Sequence, residues 1–373
     1  MAIADANVEM LTGAVREAVL EYRATDPSAL AQYVARLAPW LDDASVTEIC
    51  INRPGEAFVE RASGWRQEPM PFATELWCQQ FAKLVAASTR QRVNAESPLL
   101  SASLPTGERV QVVLPPAVSA GTVAITIRRP SSRVWGLDEL AGGGVFERCV
   151  GAGSVAADGR EQELRRLHAA GAWMDFLRCA VRARKNIVVS GATGSGKTTL
   201  TKALVLEIPR EERLIVLEDA AELSLASHGN AVRLLYSKDG QGLARVSAKQ
   251  LLEASLRMRP DRILLAELRG EEAYYYLRNV NSGHPGSITS VHASSAELAF
   301  EQLTLLVKES GPGRELERAD IRALLHQLVD VVVQCGRDPS GRRAVSEIWY
   351  RDGGAGVCTT GHPDVLAGLH AHA

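Results

Sequence analysis

Apolar residues along the chain recur at two different spacings, and the switches between those spacings outline its elements. Near the start, Val8, Leu11, Val15, Ala18, Val19 and Tyr22 share one face at helical spacing, which predicts a helix over 8–22. Leu30, Val34, Leu37 and Leu41 predict a second amphipathic run. "VTEICI" (46–51) and "EAFVE" (56–60) read as strands around the turn "NRPG". "ELWCQQFAKLVAAS" (75–88) reads as a helix, and "RVQVVL" (109–114) and "VAITIRR" (123–129) read as strands. Residues 1–130 are therefore expected to form a mixed α+β domain.

The texture then changes. Residues 131–171 are rich in glycine and small residues without sustained periodicity, the pattern of a linker, closed by a short charged helix over 161–170. From Ala172 strands and helices alternate, which predicts a parallel sheet with crossover helices over 172–350. Residues 351–373 read as a frayed tail. The expected class is α/β, a P-loop domain preceded by a smaller α+β domain.

Bulk composition agrees with two soluble globular domains: 373 residues, 46% apolar and 23% charged. A net charge of −2 argues against a stable nucleic-acid binder. The six cysteines include no C-x-x-C pair, so a zinc ribbon is not expected and free thiols are. The start "MAIADANVEM" is acidic and reads as no signal peptide. The uncharged runs 110–127 and 279–296 are broken by Pro115, Pro116 and Gly121 or diluted by Ser, Gly and His, so neither is expected to span a membrane.

Chemistry enters at "NIVVSGATGSGKTTLTKAL" (186–204). Gly191, Ala192, Thr193, Gly194, Ser195, Gly196, Lys197 and Thr198 match G-x-x-x-x-G-K-[ST], with Thr199 following, between a strand and a helix. Glycines bring backbone N–H groups against phosphate oxygens, and the helix N-terminus aims its dipole at the same anion. Lys197 is the expected partner of the β- and γ-phosphates of ATP, and Thr198 an expected ligand of Mg²⁺.

Two apolar runs end in acids: "RLIVLEDAAEL" with Glu218, Asp219 and Glu222, and "DRILLAELRG" with Glu267. In open α/β sheets ligands sit at the carboxyl ends of strands, so both sets are candidates to face the loop. "NVNSGHPGSITSVHA" (279–293) places His292 at the end of a further strand-like run, where an imidazole can contact a γ-phosphate, with His284 upstream. The guanine-reading N-K-x-D pattern of GTPases does not occur, and nothing marks the acceptor pocket and lid of a kinase.

The order Lys197, Glu218, Glu267, His292 resembles the Walker A, Asp-box, Walker B and His-box series of the secretion ATPases. "SGHPGSITSVHA" most resembles the VirB-type traffic ATPases of bacterial type IV secretion, and "VTEICINRPGEAFVE" and "VAITIRRPS" are similar to that family's amino-terminal, PAS-like domain. The resemblance implies a RecA-like ATPase assembled as a homo-hexamer, powering secretion through nucleotide-driven domain motion. It implies catalytic roles for Glu218 (activating water), Glu267 (holding Mg²⁺ through water, the two roles being exchangeable) and His292. First-domain arginines, Arg109 with Arg128 or Arg129, are implied to neutralise phosphate charge. Implied partners are the inner-membrane and coupling components of the secretion system, reached from the cytoplasm at the inner-membrane face. A pilus assembly, retraction or type II secretion motor, and a nucleotide-gated scaffold, are the alternatives.

Overall fold

Hydrophobic alternation and β-branched runs close into two compact units, 1–157 with 230–260 and 158–229 with 261–373. The computed structural model describes residues 28–130, 134–147, 149, 159–237, 242–351 and 354–357; the helix expected over 8–22 lies outside them, as does most of the expected tail.

The first unit begins with two short helices, Ala29–Ala35 (α1) and Ala38–Leu41 (α2). Its strands are Glu48–Ile51 (β1), Gly55–Arg61 (β2) and Gly64–Met70 (β3), then, after helix Glu75–Ser88 (α3), Leu99–Ser103 (β4), Arg109–Val113 (β5) and Ala124–Arg128 (β6). They pair antiparallel in the order β3-β2-β1-β6-β5-β4. Pro69 is tolerated because β3 is an edge strand, where an absent N–H leaves no ladder bond broken. Thr74 caps α3 by accepting from Trp77 N at 3.2 Å. The helix then buries Trp77, Phe81 and Val85 in one core with Ile49, Ile51, Val112, Ile125 and Ile127 of the sheet. Each such side chain contributes about 1.5–3 kcal/mol on burial. A short helix, Leu137–Gly142 (α4), follows.

The second unit opens on Gly159–Ala169 (α5) and Trp173–Arg182 (α6). Strand Ile187–Gly191 (β7) leads through the glycine loop into Lys197–Leu206 (α7) and on to Leu214–Glu218 (β8). Residues 230–260, with Ala231–Leu235 (β9) and Ala248–Ser255 (α8), pack with the first unit. The chain returns with Arg262–Leu265 (β10), Glu272–Asn281 (α9), Ile288–Val291 (β11), Ala296–Glu309 (α10), Arg318–Leu328 (α11), Val331–Arg337 (β12), Arg343–Tyr350 (β13) and Gly354–Val357 (β14). β11, β7 and β12 run parallel side by side, and β10 runs parallel to β8. Leu268 N donates to Ser290 O at 2.8 Å, joining the end of β10 to β11. Every residue of β7, β8, β10 and β11 is buried, the pattern of strands covered on both faces. This is the parallel-sheet, RecA-like architecture expected.

The amino-terminal edge of this sheet is tied by polar groups. Asn186 Oδ1 accepts from Gly286 N at 3.0 Å and Ser287 N at 3.2 Å, its Nδ2 donates to Leu328 O at 2.8 Å, and its backbone N–H donates to Asp330 Oδ2 at 2.7 Å. One side chain thereby fixes the starts of β11 and β12 on β7. Beside it the fully buried Arg262 grips Glu212 bidentately, at 2.7 and 3.0 Å, with Arg184 at 3.2 Å. A Cβ on Gly286 would stand 2.8 Å from Arg262 Nη1, and its φ is +89°. The second glycine of "SGHPGS" therefore has a packing reason. Among the described residues no helix is long and apolar enough to cross a membrane, and the described cysteines are free thiols.

Removing Glu212 strands a buried guanidinium, so Glu212→Ala is expected to lower unfolding stability by about 3–5 kcal/mol; an unchanged urea midpoint contradicts this. His228, 2% exposed, bonds Ile208 O at 3.1 Å and Ser227 Oγ at 3.0 Å, and burial lowers its pKa. The unfolded chain therefore binds the proton more readily, and this contribution is present above pH ~6.5 and lost as pH falls through the lower folded value. Stability measured from pH 7 to 5 should fall less steeply in His228→Gln; an identical slope would refute the assignment.

Candidate active site

β7 delivers the chain to the loop from between β11 and β12, so both neighbours' carboxyl ends flank the glycines. Gly191 lies in register with Cys335, and a Cβ there would meet Cys335 O at 2.4 Å and Ser195 Oγ at 2.5 Å. Gly196, the residue before α7, has φ +101°, a left-handed conformation that turns the chain into the helix. The first turn of α7 carries no acid to compete for its N–H groups. Ala192, Thr193, Gly194, Thr198 and Thr199 are exposed, whereas Ser195 and Lys197 are buried. Ser195 Oγ is buried with no hydrogen-bond partner among the described residues, as fits a loop built around a further polar group.

Lys197 curls back into its own loop. Its ammonium donates to Gly191 O at 2.8 Å and Ala192 O at 3.2 Å, and lies 3.2 Å from His292 Nδ1. Burial lowers its pKa, opposed by the charge of Glu267. Because the ammonium only donates, His292 Nδ1 accepts and Nε2 carries the ring proton. That Nε2 lies 2.6 Å from Glu267 Oε1. The other oxygen of Glu267 pairs with Arg269, whose Nη1 reaches Asp219 Oδ2 at 3.5 Å. A chain of polar contacts thus runs from the loop outward: the Lys197 ammonium, the neutral His292 imidazole, then Glu267, Arg269 and Asp219 with alternating charge.

The other acids are placed differently from one another. Glu218, 1% exposed, accepts from Glu222 N at 3.0 Å and Leu223 N at 2.8 Å, so it orders its own turn. Glu222 Oε2 accepts from Thr198 Oγ1 at 3.4 Å. His284 is half-buried on the segment before β11. Arg109 and Arg128 belong to the first unit, where they sit directly opposite each other across β5 and β6, both exposed, with Arg128 also 3.5 Å from Glu48. Arg129 instead donates to Asp43 O.

Three arginines were not singled out from the sequence. Arg269 stands two residues beyond Glu267, a spacing that carried the signal. Arg337 and Arg343 flank the tight turn of "GRDPSGRR" and approach the loop at Gly194 and Gly196.

A family profile described as "Type II/IV secretion system protein" matches residues 160–362. The type IV secretion system protein VirB11 of Bartonella quintana (strain Toulouse) is 48% identical over 324 residues, covering 84% of this chain and 90% of its own. PtlH of Bordetella pertussis, also a type IV secretion system protein, is 44% identical over 325 residues, covering 86% and 95%. The crystal structure of the VirB11 ATPase from the Brucella suis type IV secretion system, in complex with sulphate, superposes with a TM-score of 0.82 at 45% identity, covering 90% of this chain and 97% of that one. By profile, by sequence identity and by fold, the chain belongs to the type II/IV secretion system protein family, among its VirB-type traffic ATPases.

Proposed function

We propose that the chain hydrolyses ATP with Mg²⁺ and, assembled as a homo-hexamer, converts that hydrolysis into domain motion that powers type IV secretion. The observation that carries this reading is Lys197, a buried ammonium held by loop carbonyls and by His292 beside an anion-ready helix N-terminus.

Binding requires the ammonium to exchange its carbonyl and imidazole partners for β- and γ-phosphate oxygens. His292 Nδ1 then loses its donor, and by taking up a proton there the imidazole, its Nε2–H still on Glu267, becomes a donor to the γ-phosphate and so senses whether one is present. Ser195 and the N–H groups opening α7 supply neutral donors to the phosphates. Glu218 holds the turn that presents Asp219 and Glu222, and it or Glu267 orients the attacking water. Thr198, exposed in the first turn of α7 with its hydroxyl 3.4 Å from Glu222 Oε2, would hold Mg²⁺, with Glu267 acting through water. When bound, the ion neutralises charge on the phosphates. Arg109 and Arg128, exposed and directly opposite each other on adjacent strands with Arg128 also paired to Glu48, are the proposed additional phosphate-neutralising groups.

Removal of γ-phosphate withdraws the partner for which Lys197 left its own loop, and the two contact sets differ enough in energy to shift a conformational equilibrium. In a ring this shift is the power stroke. The reading places the protein in the cytoplasm against the inner membrane, with the coupling and inner-membrane components of the secretion system as partners.

Lys197→Ala is expected to cut ATP turnover by about 10²-fold or more, through loss of the strongest phosphate cation; ordinary phosphate release by that variant refutes the cradle. Glu218→Gln keeps an acceptor for the turn but loses the carboxylate charge, so it should bind ATP with near-normal affinity while phosphate release falls sharply. Secretion that survives in a Glu218→Gln strain without turnover favours the scaffold alternative instead.

A further inference from the structure

The nucleotide loop has two flanks, and only one is used by the groups described so far. Lys197, His292 and Glu267 gather on the β11 side. On the opposite side the β12–β13 hairpin turns tightly at 338–341, with Gly341 at φ +84° and Gly341 N donating to Asp338 O at 2.8 Å. Arg337 and Arg343 are directly opposite each other at the mouth of this turn. Like charges in that relation destabilise a strand pair.

The acid of the turn does not relieve them. Asp338 is committed to Ser340 Oγ at 2.6 Å and Arg342 Nε at 3.0 Å. The Ser340 hydroxyl and then the Arg342 backbone and side chain hold its carboxyl down at about 2. Arg337 donates instead to Gly341 O at 2.7 Å and, at 3.4 Å, to Gly194 O of the nucleotide loop. Arg343 packs against the loop from the other strand: a Cβ on Gly196 would stand 3.2 Å from its Cδ. Both arginines are exposed. Two cations are thus held beside the phosphate loop at a repulsive spacing.

We propose that Arg337 and Arg343 hold the α-phosphate end of the bound nucleotide, opposite the γ-phosphate end held by Lys197. A triphosphate lying along the loop with its terminal group at Lys197 runs its other end toward the hairpin. An α-phosphate between the two guanidiniums converts a repulsive cross-strand pair into a bridged one. The inference rests on the nucleotide reading above, and it separates two duties: the β11 flank distinguishes ATP from ADP, while the hairpin flank binds both alike.

The test uses the full chain and calorimetric titration with ADP and with a non-hydrolysable ATP analogue, alongside the thermal midpoint without nucleotide. Arg337→Gln and Arg343→Gln are each expected to weaken ADP and the ATP analogue equally, by about tenfold. The nucleotide-free midpoint should hold or rise, because repulsion is relieved. Wild-type affinity for ADP in both variants overturns the proposal, as does weakening confined to the ATP analogue. A wild-type chain that binds neither nucleotide overturns the underlying reading as well, so the two failures are distinguishable.

Discussion

A buried ammonium must be solvated by something, and in this chain the solvation of Lys197 organises the whole second unit. Its partners come from the end of β7, from the loop that follows and from the end of β11. Desolvation of an unpaired lysine is costly enough that these three elements are obliged to converge. The convergence is possible only because β7 lies between β11 and β12 as a fully buried central strand. From the lysine the contacts pass through the neutral imidazole of His292 to Glu267, Arg269 and Asp219, so the strand ends carrying both acid motifs share one polar network.

The opposite edge of the sheet is built for rigidity. Asn186 clamps the starts of three parallel strands, and the buried Arg262–Glu212 pair closes the gap beneath Gly286. One edge therefore holds the sheet together through the hydrogen bonds of Asn186 and the Arg262–Glu212 pair. The other keeps a cation whose partners are two carbonyls and an imidazole, the contacts that we propose it exchanges for phosphate. This division between a fixed base and a switchable rim is what a nucleotide-driven motor needs from its scaffold.

What the sequence revealed and concealed follows from the range of each interaction. The strand–loop–helix around Lys197 is encoded by consecutive residues, and the apolar runs before Glu218 and Glu267 announce buried strands, so these were legible. Helix 75–88 was legible because Trp77, Phe81 and Val85 recur at helical spacing. Strand β3, "GWRQEPM", is mostly half-exposed and polar, and β4 is short and partly exposed, so neither has a pattern to read. Nothing local in 230–260 tells which unit it packs with. The facing pairs Arg109–Arg128 and Arg337–Arg343 are products of strand register, which periodicity does not supply. Nor does the sequence show that Glu218 spends an oxygen on the backbone of its own turn.

The central claim is that Lys197 trades its own loop for a phosphate. A crystal structure of the full chain with a non-hydrolysable ATP analogue and Mg²⁺ tests it most directly. The account predicts Lys197 Nζ on a γ-phosphate oxygen, its bonds to Gly191 O and Ala192 O broken, and His292 no longer its acceptor. A bound triphosphate with Lys197 still seated on those carbonyls, or nucleotide held away from the loop, contradicts it.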